Sequence, residues 1–137
     1  MVLPDASIWV AYLRAGSSAL TQRLNGELER GEVLVCGPVL AELAAGARPA
    51  DRQTLLATLA ALPWADLGRR AWPSVGLLAA ELRDRGEMLP LTDLEIAVAA
   101  HETSATLWTA DRHFERLAAP LRGLELRLAS PADLDTA

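Results

Sequence analysis

The chain begins with the sequence MVLPDASIWV at residues 1–10, and this stretch indicates the fold class. A short apolar run leads into Asp5, and an apolar segment with helical spacing follows at once. This pattern is typical of a buried first strand that ends in a carboxylate, which can also cap the next helix. In open α/β sheets, ligands bind beyond the carboxyl ends of the strands. Asp5 is therefore a helix cap, a functional group, or both.

Strand and helix signals alternate along the rest of the chain, which favours an α/β domain with a mainly parallel sheet. We expect one domain over residues 1–137, with a central sheet of four or five strands flanked by helices. The expected strands are 1–4, 33–36, 105–109 and 124–128, the last at an edge, with 64–67 as a short strand or an extended connection. The expected helices are 7–13, 18–30, 39–46, 49–62, 71–85, 92–100 and one that follows residue 111.

Several helix boundaries carry specific local signals. Residues 16–18 read Gly-Ser-Ser, which breaks the first helix and offers a Ser to cap the second, and Gly31 ends that second helix. Thr92 and Glu95 have the spacing of a capping box, a signal for a helix start. Asp93 then lies in the first turn, where the helix dipole favours the ionised carboxylate.

The composition indicates a cytoplasmic protein. Of the 137 residues, 51% are hydrophobic, which is enough for a sizeable core without disulfides or a structural metal. Cys36 is the only cysteine and lies in an apolar run, so we expect a buried thiol in a reducing compartment. The N-terminus lacks a signal-peptide pattern, and no apolar run approaches the roughly 20 residues that span a bilayer.

The charge balance limits the mode of nucleic-acid binding. The formal net charge is −5, which argues against a broadly basic surface that coats nucleic acid. It does not exclude an enzyme that acts on nucleic acid, because a metal held by clustered acids can itself attract phosphate. All 13 basic residues are arginines, so designs that need an active-site lysine are absent.

Four acidic residues occupy equivalent places in the predicted fold: Asp5 and Asp111 follow strands, and Glu42 and Asp93 lie near helix starts. In a parallel sheet all four can converge on one edge, although Glu42 alone is equally compatible with a solvated helix residue. Clustered carboxylates need positive compensation, and oxygen ligands favour Mg²⁺ or Mn²⁺ over zinc. Such a metal activates water and stabilises phosphoryl charge, so the predicted chemistry is phosphodiester hydrolysis.

Competing catalytic designs lack their motifs. There is no Gly-x-x-x-x-Gly-Lys loop, no Gly-x-Gly-x-x-Gly after a strand and no Gly-x-Ser-x-Gly elbow. One cysteine and two histidines on separate elements do not make an ordinary structural zinc site. Phosphoryl-accepting α/β domains also begin with a strand-end Asp, but they use a Lys near the phosphoryl group, and this chain has none.

The acidic motifs resemble those of the PIN-domain ribonucleases and, within them, the VapC-type toxins of bacterial toxin–antitoxin pairs. The four similar segments, in chain order, are 5–7 (Asp-Ala-Ser), 42–46 (Glu-Leu-Ala-Ala-Gly), 93–97 (Asp-Leu-Glu-Ile-Ala) and 109–114 (Thr-Ala-Asp-Arg-His-Phe). The resemblance implies that Asp5, Glu42, Asp93 and Asp111 hold Mg²⁺ or Mn²⁺ and that the enzyme cuts RNA. It also implies a homodimer, inhibited by a cognate VapB-type antitoxin that inserts a segment into the active site.

His113 departs from the pattern, since many relatives carry a further Asp at this place. Either the centre has one carboxylate fewer and His113 faces solvent, or His113 binds substrate phosphate or a metal. Ser7 and Thr109 are secondary candidates that can orient metal-bound water or a ligating acid, or can simply cap helices. Arg112, with its neighbour Arg116, is a candidate contact for RNA phosphates, and equally an ordinary surface arginine.

Two other interpretations stay open at the level of sequence. The same acids suit a nuclease that acts on DNA or on structured nucleic acid, because no feature of the sequence reads the 2′-hydroxyl. A catalytically silent binding module could instead use the acidic pocket to capture an arginine of a partner such as the antitoxin. The intact set of acids favours the nuclease.

Overall fold

The computed structural model describes residues 1–14 and 18–134, so the break predicted at residues 16 and 17 lies outside the described ranges. Helices surround a small sheet. The strands are β1 (Val2–Pro4), β2 (Thr106–Thr109) and β3 (Glu125–Leu128). The helices are α1 (Ala6–Arg14), α2 (Ala19–Glu29), α3 (Gly37–Gly46), α4 (Arg52–Ala60), α5 (Ala71–Asp84), α6 (Leu91–Glu102) and α7 (Pro131–Leu134), with a 3₁₀ helix at Arg112–Leu117.

The sheet is parallel and has the strand order β1-β2-β3. Leu3 pairs with Leu107, which pairs in turn with Leu126, so β2 lies in the centre and β3 forms an edge as predicted. The prediction of an α/β fold with a parallel sheet is therefore confirmed. Strands that run in one direction bring their carboxyl ends to the same edge, where β1 leads into Asp5 and β2 ends at Thr109.

The predicted number of strands is wrong: the described residues form three strands, not four or five. Val33 and Val35 are buried, but each makes only an isolated parallel bridge, to Val2 and to Trp64 respectively. A single bridge at each valine pairs a few backbone groups but does not form a continuous strand. The segment also ends early, because α3 already begins at Gly37.

Local signals fixed most helix ends as expected. The Ser18 hydroxyl accepts a hydrogen bond from the Thr21 amide at 3.1 Å and so caps α2. Gly31 follows α2 with a φ of +68°, a conformation that costs glycine little. The capping box is the exception, because α6 begins at Leu91 after Pro90 and makes no side-chain cap hydrogen bond.

Helix α6 is the central helix of the fold. Its residues 96–100 (Ile-Ala-Val-Ala-Ala) are all buried, and small side chains allow it to pack closely against α3, α5 and β2. This packing fixes the start of α6, and with it Asp93, relative to the sheet. No helix of the described ranges is long and apolar enough to cross a membrane.

An ion pair fastens the edge strand to α2. Arg127 Nη1 on β3 donates to Glu27 Oε1 at 2.8 Å, and only 7% of the Glu27 side chain is exposed. The Arg127 guanidinium also lies 4.9 Å from the centre of the Trp108 ring, a cation–π contact. A buried carboxylate with a close guanidinium partner holds the edge of the sheet in place.

Candidate active site

Asp5 lies at the junction of β1 and α1, and its carboxylate is almost completely buried. Its Oδ1 accepts the Ser7 amide at 3.0 Å, the Ser7 hydroxyl at 2.5 Å and the Ile8 amide at 3.3 Å, so Asp5 does cap α1. Its Oδ2 accepts the Thr109 hydroxyl at 2.5 Å. A carboxylate has about four lone-pair positions, so Oδ2 keeps capacity for a further ligand while Oδ1 serves the helix. Capping and metal binding are therefore compatible roles.

The hydroxyls of Ser7 and Thr109 connect the ends of β1 and β2. Ser7 Oγ accepts the Ala110 amide, and Thr109 Oγ1 accepts the Asp111 amide, each at 3.0 Å. Thr109 is fully buried. The two hydroxyls thus fix both the Asp5 carboxylate and the turn that presents Asp111.

His113 lies between two of the predicted acids. Its Nε2 is 2.9 Å from Asp93 Oδ2, and its Nδ1 is 2.8 Å from Asp111 Oδ1. The contact with His113 lowers the pKa of Asp93, both through charge and as a hydrogen bond. The Asp111 carboxylate also accepts the His113 amide at 3.1 Å, which caps the 3₁₀ helix.

The carboxylates influence one another electrostatically. Burial raises the pKa of Glu42, and the charges of Asp93 and Asp5 raise it further. Burial also raises the pKa of Asp93, where His113 acts in the opposite direction and Asp111 adds to the rise. For Asp5, burial raises the pKa while the hydrogen bonds from Ser7 and Thr109 lower it. Pairwise charge interactions therefore connect the four acids that the sequence singled out: Asp5 and Asp93 act on Glu42, and Asp111 acts on Asp93.

The remaining candidates lie around this cluster. Arg112 is exposed and pairs with Glu115 at 3.2 Å, at the surface beside Asp111. Glu95 makes no capping-box hydrogen bond. Its charge instead acts on Cys36, the residue before α3. Burial raises the pKa of the Cys36 thiol to about 11, with the charges of Glu42 and Glu95 adding to the rise. The spacing of residues in the sequence did not indicate that the charge of Glu95 would affect Cys36.

A divalent cation fits the chemistry of the cluster. The charges of neighbouring acids raise the pKa of Glu42 and of Asp93. Carboxylate oxygens are the donors that Mg²⁺ and Mn²⁺ prefer. The side chains do not form a complete cage by themselves, because no group of three or more His, Cys, Asp or Glu in the described part is arranged to hold an ion.

An apolar groove of about 800 Å³ opens beside the cluster. Glu42 lies at its lining, so the groove reaches the acidic site. The indole nitrogen of Trp9, which also lines it, is buried and has no hydrogen-bond partner among the described residues. Other apolar residues of its lining are Val10, Leu13, Leu43, Leu55, Leu59 and Leu62. The sequence did not reveal this groove, because its walls come from separate helices.

Comparison with solved structures finds the same fold in toxin–antitoxin complexes. The chain is similar to a chain of VapBC2 from Rickettsia felis bound to a DNA fragment of its promoter, with a TM-score of 0.77, 24% identity, and coverage of 95% of this chain and 100% of the other. For DNA-bound VapBC from Salmonella typhimurium, the TM-score is 0.73, the identity 21%, and the coverage 93% and 98%. For VapBC-5 from Mycobacterium tuberculosis, the TM-score is 0.66 and the identity 20%, with coverage of 93% of this chain and 98% of the other.

Identities below 25% show a shared fold and do not by themselves transfer an activity. The comparison with curated proteins finds no significant match. The comparison with protein families is more specific, since the PIN domain model matches residues 2–120. That range includes all four acids and both of the strands β1 and β2. The chain therefore belongs to the PIN domain family.

Proposed function

We propose that this protein is a metal-dependent endoribonuclease toxin of the VapC type, neutralised by a cognate antitoxin. The observation that carries the proposal is the set of Asp5, Glu42, Asp93 and Asp111, in which Asp5 and Asp93 raise the pKa of Glu42 and Asp111 raises the pKa of Asp93. These side chains would hold Mg²⁺ or Mn²⁺. The bound ion would lower the pKa of a water molecule bound to it and would place positive charge beside the phosphoryl oxygens.

The surrounding residues support this function in distinct ways. Ser7 and Thr109 hold Asp5 in one orientation through its two oxygens, so the carboxylate does not have to reorganise when it binds an ion. Arg112 pairs only with the exposed Glu115, an interaction that contributes little in water. Its guanidinium can exchange that carboxylate for an RNA phosphate, which it binds with the same fork of donors.

The test is cleavage of RNA by the purified protein with Mg²⁺ or Mn²⁺, with EDTA, and with the variant Asp93→Asn. We expect Asp93→Asn to lower the cleavage rate by about 100-fold or more, since second-shell changes at metal sites alone cost that much. Asp84→Asn is the matched control, because Asp84 is an exposed acid at the end of α5, away from the cluster. Equal cleavage in EDTA, or equal loss in both variants, would refute the mechanism.

The substrate is tested by oligonucleotides of one sequence as RNA, single-stranded DNA and duplex DNA. Cleavage of RNA alone supports the ribonuclease. Preferred cleavage of DNA would replace it with another PIN-type nuclease that uses the same acids. Failure to bind metal, combined with tight binding of an arginine-rich peptide, would favour a catalytically silent binding module.

The apolar groove supports the proposed antitoxin partner, as a segment lying in it would reach Glu42 and so block the site. Its apolar lining suits hydrophobic side chains of such a segment. We expect Leu13→Glu to weaken binding of the antitoxin at least tenfold in titration calorimetry. Leu77→Glu, at a leucine that is also exposed (72% against 55% for Leu13) but lies outside the groove, is the control and should bind normally.

A homodimer in the cytoplasm completes the proposal. Met88 and Leu91 are largely exposed beside a second apolar cleft, of about 590 Å³, between α5 and α6. Exposed apolar patches of this kind commonly mark protein contacts. Light scattering coupled to size-exclusion chromatography should give twice the mass of the 14.7 kDa chain. A monomer at micromolar concentration would contradict this part of the proposal.

A further inference from the structure

Two of the helices that line the apolar groove run in the same direction. Helix α1 follows β1, and α3 follows the segment 33–36, which bridges to β1 in parallel at Val33. Both helices therefore begin at the edge of the sheet where Asp5 lies, and they pack against each other as they run away from it. Their C-terminal ends both line the groove, and they lie at the end of it that is far from the acids.

This far end of the groove is basic. Arg14 is the last residue of α1, Arg48 follows α3, and both belong to the lining. Arg52 Nε donates to the Ala47 carbonyl at 3.2 Å, which brings a third guanidinium to the same end. Among the described residues of the lining, Asp51 is the one acid here. Three arginines and one aspartate give this end a net positive charge.

The two arginines of the lining are available to a partner. Arg14 is exposed, and its side chain has no ion pair or hydrogen bond with any residue that the structure describes. Arg48 Nε lies 3.0 Å from Asp51 Oδ2, but 87% of the Arg48 side chain is exposed. So exposed an ion pair contributes little to stability, and a carboxylate of a partner can join it or replace it.

The near end of the groove has the opposite charge. Glu42 lies in the lining there, and the charges of Asp5 and Asp93 act on it. Between Ala6 and Arg14, α1 rises about 12 Å, at about 1.5 Å per residue. The groove therefore has an acidic end and a basic end that are separated by about two helical turns.

The walls between the two ends favour a polypeptide over RNA. They consist mainly of aliphatic side chains from α1, α3 and α4, among them Val10, Leu13, Leu43 and Leu55. Such walls are stabilised when they bury apolar side chains of a partner. A phosphodiester chain in the same place would lose water from its charges and gain no hydrogen bond from these walls.

We propose that the groove binds an amphipathic segment of the antitoxin whose acidic side chain contacts Arg14 and Arg48, so that this pair of arginines fixes the direction in which the segment lies. This inference rests on the proposed function, which supplies the antitoxin. A segment in the reverse direction would place its acidic side chain beside Glu42, where the two like charges repel each other. In a helical segment, the acidic residue lies about two turns from the residue that reaches Glu42.

Three synthetic peptides test this charge preference. Each has about 12 residues and capped ends, carries leucines on one helical face, and differs from the others only near its C-terminus, where it has Glu, Gln or Lys. In titration calorimetry at low salt, we expect the Glu peptide to bind about threefold tighter than the Gln peptide, and the Lys peptide about threefold weaker. In about 1 M NaCl, where the Debye length is about 3 Å, the three affinities should become equal.

Variants of the protein connect the preference to the arginines. Arg14→Glu should reverse the order, so that the Lys peptide binds most tightly. Arg69→Glu is the matched control and should keep the original order, because Arg69 is also exposed, has no ion pair in the described ranges and lies outside the groove. If circular dichroism shows that Arg14→Glu does not fold, Arg14→Gln carries the test, and in this variant the Glu peptide should lose its advantage over the Gln peptide.

The outcomes separate the inference from the function on which it rests. Equal affinities for the three peptides at low salt, or an order that the Arg14 variants do not change, overturn the role of the arginines and leave the nuclease intact. Absence of binding by all three peptides at millimolar concentration overturns the groove as a docking surface. If Arg14→Glu weakens the binding of a single-stranded RNA oligonucleotide more than that of the Glu peptide, the basic end binds RNA and the inference is wrong. An order that depends on Arg14, in a protein that cleaves no RNA, supports the inference and refutes the ribonuclease.

Discussion

The substitution Thr109→Val tests how strongly the fold depends on the hydrogen bonds that orient Asp5. Valine matches threonine in shape, so the buried site stays filled while the hydroxyl is lost. That hydroxyl donates to Asp5 Oδ2 at 2.5 Å and accepts the Asp111 amide at 3.0 Å. The change therefore removes one charge-assisted hydrogen bond and leaves a second donor without its partner.

The expected cost follows from these two contacts. A hydrogen bond to a charged group contributes about 1.5–3 kcal/mol, and an amide without a partner costs about 1 kcal/mol at a partly solvated position. We therefore expect Thr109→Val to lower the free energy of unfolding by about 2–4 kcal/mol at pH 7. Urea denaturation followed by circular dichroism, in EDTA, measures this value.

Thr106→Val is the matched control in the same strand. The Thr106 hydroxyl donates to Glu125 Oε2 at 3.1 Å, but this contact is exposed to solvent. We expect this variant to lose less than about 1 kcal/mol, because water replaces an exposed hydrogen bond. Equal losses in both variants would refute the argument that burial makes the Thr109 contact strong.

The pH dependence has a definite sign. The Thr109 hydroxyl lowers the pKa of Asp5 against the rise caused by burial, so it stabilises the ionised carboxylate. The cost of Thr109→Val should therefore be largest when Asp5 is ionised and should shrink as the pH falls through its raised pKa. A cost that grows towards acid pH would contradict this assignment.

Three further predictions concern other groups of the molecule. Glu42→Gln should raise the free energy of unfolding of the metal-free protein at pH 7 by about 0.5 kcal/mol, since burial, Asp93 and Asp5 all disfavour the ionised form. With saturating Mn²⁺, the unmodified protein should instead melt at a higher temperature than the variant. If the variant still melts higher, Glu42 has no role in binding the metal. The Cys36 thiol, with its pKa raised to about 11, should resist iodoacetamide at pH 8 in the folded chain and react in urea, as mass spectrometry will report; rapid labelling of the folded chain would contradict the burial. Arg127→Met should cost about 2–3 kcal/mol in urea denaturation, because it removes the 2.8 Å partner of the buried Glu27 and leaves only the more distant Arg23, at 3.7 Å. Arg30→Met, at an exposed ion pair, should cost less than about 1 kcal/mol.

Elements with local causes could be predicted from the sequence. Gly37-Pro38 begins α3 because proline suits a first helical turn, and Ser18 caps α2 with its own hydroxyl. The capping box failed for a related reason, since Pro90 precedes Leu91 and the helix starts there, which moves Thr92 inside the first turn. Two local signals competed, and the sequence did not show which would prevail.

Features that depend on distant partners were harder to predict. The apolar run at 33–36 is as buried as a central strand, but it makes only single bridges, at Val33 and Val35. The convergence of the acids could be foreseen, because each follows a strand or begins a helix. The bridging position of His113 could not, as it depends on the orientation of one side chain between two separate elements.

The hydrogen bond from Thr109 to Asp5 spans 104 positions of the chain, and it has a consequence for synthesis on the ribosome. A nascent chain that ends before residue 109 has neither the hydroxyl that holds Asp5 nor the central strand that pairs with β1. At about 5–20 residues per second, several seconds separate the emergence of the first acid from that of its partner. The candidate site is therefore completed only late in synthesis, because Thr109 and Asp111 come near the end of the 137-residue chain.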